Sequence, residues 1–165
     1  MHGLHLTADL RDCPAVLRVM IDPAALRTLC LAAVQSAGLQ PVGELFHRFD
    51  AVPGANPDEP VGITGVVLLA ESHLAVHTWP EIAAVTLDVY VCNLGTDNSA
   101  RAHALIDALL IAFEPGQVER HALERGAARA ERRAAVGHEG ATRGPWPARI
   151  STGDRPMYPS DEGST

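Results

Sequence analysis

Residues 62–92 hold the densest chemistry in the chain. Glu71-Ser72-His73-Leu74 is followed by His77-Thr78-Trp79-Pro80-Glu81, and then by Asp88, Tyr90 and Cys92. Hydroxyl, imidazole, carboxylate and thiol groups thus crowd into a few short segments with strand-like alternation. A strand needs only that alternation to fold, so reactive groups at this density call for a functional reason. His73 and His77 have the H-x-x-x-H spacing of zinc ligands on a helix. On a strand they share a face but stand about 13 Å apart, too far for one ion, and no metal site is expected. Ser72 lacks the G-x-S-x-G elbow of a hydrolase nucleophile. No glycine-rich loop leads from a strand into a helix, which argues against dinucleotide and P-loop sites.

The elements that must position these groups follow from periodicity. Strands are predicted over 5–10, 42–49, 62–70, 73–79 and 84–92, with 118–123 as a last one. Asp22-Pro23 is a helix opening, and Leu26, Leu29, Cys30, Ala33 and Val34 recur at helical spacing up to Gly38, giving a helix over 23–37. Cys30 reads there as a small buried hydrophobe. A second helix over 98–113 carries the stripe Ala102, Leu105, Ile106, Leu109, Leu110 and Phe113. The apolar run 62–70 predicts burial on both faces of its strand. In 73–79 one face carries Leu74, Val76 and Thr78, the other His73, Ala75, His77 and Trp79. In 85–92 one face is Val85, Leu87, Val89 and Val91, the other Thr86, Asp88, Tyr90 and Cys92. Pairing across a turn at Pro80–Ala83 therefore places His77, Asp88, Tyr90 and Cys92 on a single surface. The order β-α-β-β-β-β-α-β implies an α+β two-layer sandwich, with a mainly antiparallel sheet and the helices on one face.

At 165 residues the chain has one-domain length. Aromatics are only 4% against 47% apolar residues, so Val, Leu, Ile and Ala must build the core. A net charge of −7 would repel nucleic acid. No apolar run nears the roughly 20 residues that span a bilayer, and residues 1–5 do not open a secretory signal. Cys13, Cys30 and Cys92 form no C-x-x-C pair, so a reducing, cytoplasmic compartment is expected. The domain is read as 1–126. Residues 127–165, rich in Ala, Arg, Gly and Pro, are read as a disordered tail.

The Glu71-Ser72-His73-Leu74 and His77-Thr78-Trp79-Pro80-Glu81 block, with Asp88 and Cys92, closely resembles the core of the bacterial S-adenosylmethionine decarboxylase proenzymes. Gly3-Leu4-His5-Leu6, Phe46-His47-Arg48-Phe49 and Gly62-Ile63-Thr64-Gly65 extend the likeness over about residues 3–126. It implies self-cleavage between Glu71 and Ser72 into chains 1–71 and 72–165, leaving a pyruvoyl group made from Ser72. His77 would assist that processing, and Thr64 stands where the family usually has a helpful serine. The pyruvoyl carbonyl would form a Schiff base with the substrate amine and act as electron sink. Cys92 would return the proton after CO₂ is lost. Phe49 and Glu81 match positions that stack on adenine and hold the ribose, at sites shared between two subunits of a dimer.

Two departures touch the adenosine side. The loop 50–61 is long and proline-rich, and Ile82-Ala83-Ala84 replaces the usual aromatic residues after Trp-Pro-Glu. Relatives with this core also decarboxylate ornithine or arginine, yielding putrescine or agmatine, and −7 suits any cationic substrate. An unprocessed regulatory homologue is the third reading. Ser72, His77 and Cys92 are all retained, which speaks against it.

Overall fold

Asp22 opens the first long helix as its place before a proline dictates. Its carboxylate accepts from the amides of Ala24 and Ala25 at 2.9 and 3.3 Å, and Pro23 has no N–H to satisfy. Arg18 pairs with the same carboxylate, and these bonds hold it below the usual aspartate range. The computed structural model describes residues 2–50 and 60–126. The elements are β1 (Gly3–Arg11), α1 (Arg18–Ile21), α2 (Pro23–Ser36), β2 (Pro41–Arg48), β3 (Ile63–Leu69), β4 (Ser72–Trp79), a 3₁₀ turn (Pro80–Ile82), β5 (Ala84–Cys92), α3 (Ser99–Phe113) and β6 (Gln117–Arg125). The predicted tail at 127–165 and most of the loop 50–61 lie outside the described residues. The four-residue α1 escaped the sequence reading. Its residues, Arg18-Val19-Met20-Ile21, include two β-branched side chains, and no side chain caps its start.

The strands form one antiparallel sheet in the order β2-β3-β4-β5-β1-β6. Parity decides everything about its two faces. Leu6, Ala8 and Leu10 of β1, Val67 and Leu69 of β3, Leu74 and Val76 of β4, and Val85 to Val91 in alternation along β5 point to α2 and α3. Leu26 and Val34 of α2, and Leu105, Leu109 and Phe113 of α3, meet them from the other side. Burying each such side chain contributes about 1.5–3 kcal/mol. Among the described residues, the opposite face has no helix on it. Burial of β3 on both faces is therefore not found: Ile63, Val67 and Leu69 are covered, whereas Leu68 is 50% exposed. Nothing among the described residues covers that second side.

Thr78 is the one buried polar side chain among the described residues. It lies on the helix face of β4, accepts from the Ile63 N–H at 2.9 Å and donates to the Met20 carbonyl at 2.8 Å. One hydroxyl thus ties the end of α1 to two strands. Thr78→Val keeps the shape but orphans a buried amide and a buried carbonyl. It should lower stability by about 1–3 kcal/mol, read as a lower urea midpoint with an unchanged slope.

Candidate active site

β3 and β4 form a hairpin closed by the pair Leu69 and Ser72, leaving Ala70 and Glu71 as a two-residue loop. Tight hairpins of this kind need positive φ, usually supplied by glycine or asparagine. Here Glu71 adopts φ 57°. A residue with a Cβ is held in the left-handed region at a cost of about 1–2 kcal/mol. That strain sits on the residue whose carbonyl is bonded to the Ser72 nitrogen.

Ser72 Oγ accepts a hydrogen bond from the Cys92 N–H at 3.0 Å. Serine and cysteine therefore meet at the hairpin end of the sheet, where β5 finishes. Cys92 is buried too, at 8% exposure, but lies outside the hydrophobic cluster that contains Cys13 and Cys30. Burial pushes the Cys30 thiol up to about 12, and burial with the neighbouring Asp12 carboxylate pushes Cys13 up to about 11.

Thr64 and His77 face each other across β3 and β4, with Thr64 Oγ1 and His77 Nδ1 hydrogen-bonded at 2.8 Å. The chain does not bring this pair to Ser72. Along β4, Ser72 and His77 are separated by about 16 Å of strand rise, and their odd spacing turns them to opposite sides of the sheet. His77 and Cys92 do share the bare face, as parity predicts. However, His77 pairs with Thr86 of β5, about 20 Å along that strand from Cys92.

Phe49 and Glu81 belong to the His77 end. The Phe49 N–H donates to the Gly62 carbonyl at 3.0 Å, and its exposed ring meets the His47 ring edge-on at 6.0 Å. Gly62 lies so close to β4 that a Cβ there would stand 2.0 Å from the Thr78 carbonyl oxygen. Glu81 is exposed in the 3₁₀ turn just beyond Trp79. The site residues fall into two groups at opposite ends of one sheet: Glu71, Ser72 and Cys92 at one, Thr64, His77, Phe49 and Glu81 at the other.

From the Ser72 end inward, the His73, Asp88 and Tyr90 expected on the reactive face are joined by His5 and Arg125, which the sequence did not connect to them. His5 Nε2 is 3.0 Å from Asp88 Oδ1, and the rings of His5, His73 and Tyr90 stack edge-on or tilted at 5.7–6.4 Å. Arg125 lies over Tyr90 at 5.6 Å. Gly3 makes room for this, since a Cβ there would stand 2.6 Å from the Tyr90 hydroxyl. Parity places His5 on the bare face, but only knowledge that β1 enters the sheet beside β5 would have joined it to Asp88.

Comparison with known proteins gives one consistent result. The family model described as S-adenosylmethionine decarboxylase matches residues 4–126. The S-adenosylmethionine decarboxylase proenzyme of Aquifex aeolicus is 34% identical over 124 residues, which are 75% of this chain and 81% of that protein. The proenzyme of Picrophilus torridus is 32% identical over 124 residues, covering 75% of this chain and 84% of the relative. The crystal structure of the adenosylmethionine decarboxylase from Aquifex aeolicus superposes with a TM-score of 0.64 at 32% identity, over 76% of this chain and 92% of that one.

The buried thiols make a checkable contrast. The folded chain holds the Cys13 and Cys30 protons to higher pH than the unfolded chain does. Their contribution to stability is thus complete below the ordinary value of 9.0 and is lost as pH climbs through about 11 and 12. Iodoacetamide treatment of the native protein near pH 8 should leave both unmodified. Adding denaturant should label all three cysteines, as read by peptide mass spectrometry.

Proposed function

The chain belongs to the S-adenosylmethionine decarboxylase family, and from that premise we propose that it is a self-cleaving, pyruvoyl-dependent enzyme. Its substrate is S-adenosylmethionine, and its product is the decarboxylated aminopropyl donor used to make spermidine. The observation that carries this reading is the Cys92 amide on Ser72 Oγ, next to a strained Glu71. Relatives and the solved neighbour all bear the adenosylmethionine name, so the basic amino-acid reading is not favoured.

The residues present fit a group made from Ser72. Its hydroxyl adjoins the Glu71 carbonyl by covalent connection, and opening the Glu71–Ser72 bond releases the left-handed strain. Ser72 Oγ adds to the Glu71 carbonyl carbon and the C–N bond breaks, so the amide becomes an ester. A base then takes the Ser72 α-proton and the Cβ–O bond breaks, freeing chain 1–71 as a carboxylate. Ammonia is lost from residue 72 on hydrolysis, leaving chain 72–165 with a pyruvoyl end. When present, that group supplies a carbonyl for the substrate amine and an electron sink while CO₂ leaves. Cys92, whose amide bonds Ser72 Oγ, would return a proton from its thiol to the former α-carbon. Phe49 offers an aromatic face to adenine and to the sulfonium charge, and Glu81 accepts from the ribose hydroxyls.

His77 is the base, with Thr64 orienting its ring, but it acts on a partner copy. A second chain turned end for end brings its Thr64, His77, Phe49 and Glu81 to the hairpin end that holds Ser72 and Cys92 of the first, and the two-fold makes two identical sites. The exposed Leu45, Leu68 and Leu123 supply apolar surface for that contact. The cytoplasm suits a chain whose three cysteines are all free.

Intact mass under denaturing conditions should show two chains divided at Glu71/Ser72, the larger one ammonia lighter than simple hydrolysis gives. A single full-length mass after long incubation would overturn the reading. Ser72→Ala and His77→Ala should each stay uncut alone. Mixed after co-expression, the His77→Ala chain should be cut, because its Ser72 meets the other copy's His77. Absence of cutting in the mixture would remove the shared site. Phe49→Ala should raise KM for S-adenosylmethionine about tenfold in a CO₂-release assay, and an unchanged KM would argue against adenine stacking there.

A further inference from the structure

In an antiparallel ladder the N–H and C=O of one residue turn to the same neighbouring strand. Counting on from Leu74 opposite Val89 and His73 opposite Tyr90, Cys92 falls opposite Glu71. Glu71 is left-handed and lies outside β4, so the ladder stops short of that pair. Side chains take over both of the backbone groups that Cys92 presents there. Its N–H goes to Ser72 Oγ at 3.0 Å, and its carbonyl accepts from Asn98 Nδ2 at 2.9 Å.

Asn98 gives up its ordinary task to do this. It is the N-cap of α3, where an asparagine side chain usually accepts from the first helical amides, yet it makes no such bond. Asp97 Oδ1 accepts from the Ser99 N–H at 2.9 Å instead. Arg101 Nη1 donates to Asn98 Oδ1 at 2.9 Å, which fixes the amide with Nδ2 toward Cys92. Asn93 Oδ1 accepts from the Asn98 N–H at 2.9 Å and closes the loop between β5 and α3. Each polar atom of Asn98 that matters to Cys92 is thereby oriented.

We propose that Asn98 is a positioning residue for both steps at Ser72. By holding the Cys92 carbonyl it sets the backbone of Cys92. That places the N–H on Ser72 Oγ before the cut and directs the thiol toward residue 72 after it. The inference rests on the self-cleaving decarboxylase reading. Asn98 reaches residue 72 only through the Cys92 backbone and bonds neither Phe49 nor Glu81, so it acts on rates rather than on substrate affinity.

The test separates this role from helix capping. Asn98→Asp keeps the shape and is as good an N-cap, but an ionised carboxylate cannot donate to the Cys92 carbonyl. Asn98→Asp should stay folded, with its melting temperature lowered by no more than one lost hydrogen bond explains. It should self-cleave about tenfold more slowly by intact-mass time course, the loss expected for one hydrogen bond. Once cut, its kcat should fall about tenfold with KM unchanged, and Asn98→Gln, which keeps the donor, should recover part of both rates. A capping role predicts the opposite: Asn98→Asp at parental rates, and Asn98→Ala slow in proportion to its lower melting temperature. Either parental rates in Asn98→Asp, or a KM that rises as kcat falls, overturns the proposal. If Asn98→Ala fails to fold, Asn98→Asp against the parent decides alone. A parent that never cuts at Glu71/Ser72 brings down the reading beneath, and this is seen before any Asn98 variant is made.

Discussion

Among the described residues, helices cover one sheet face and leave the other bare, and the rest follows from that constraint. The helices α2 and α3 can satisfy only half of the sheet's side chains. The period-two alternation of β1, β3, β4 and β5 sends the aliphatic half to them. What remains is a face carrying Thr64, His77, His73, Tyr90, His5 and Asp88, interspersed with Leu45, Val66 and Leu68. Such a face is too polar to be core and too apolar to be left in water. The same constraint explains the two separated groups of candidate residues. One sheet cannot bend its ends together, so chemistry that used both ends would draw on a second surface.

Much of this was legible in the residues. Alternation in 73–79 and 84–92 gave the faces correctly, and Asp22-Pro23 marked a helix start that the carboxylate–amide bonds explain. The α+β sandwich followed from element order, because short strand connections force antiparallel neighbours. Three features were not legible, for physical reasons. The run Ile63 to Leu69 reads as buried on both sides, but periodicity reports what a strand is suited to, not whether its own chain provides the cover. The pairing of His5 with Asp88 depends on β1 entering the sheet between β5 and β6, a contact between residues 83 positions apart. Parity also put His77 and Cys92 on one face without saying how far apart, since distance along a strand is set by register.

Strain and support are paired at the hairpin. Glu71 can hold φ 57° because Leu69 and Ser72 lock the turn from within, and β5 braces it from the side. Cys92 is the point where that brace changes character, from backbone ladder to side-chain contacts. An ending of this kind leaves Ser72 less constrained than a residue inside the ladder, while keeping its oxygen hydrogen-bonded.

The place of β1 in the sheet has a thermodynamic meaning of its own. β1 belongs to the segment before Glu71 but lies between β5 and β6, which come after Ser72. A cut in the β3–β4 turn would thus yield two chains that remain threaded through one another, joined along β3–β4, β5–β1 and β1–β6. Neither could leave without unzipping three strand seams, so the molecule would keep its shape while losing its connectivity. Its folding reaction would change order, from one molecule finding itself to two finding each other, with an added entropy cost at low concentration. Persistence of the mature form would then be governed by the rate of opening rather than by an equilibrium its parts can readily restore.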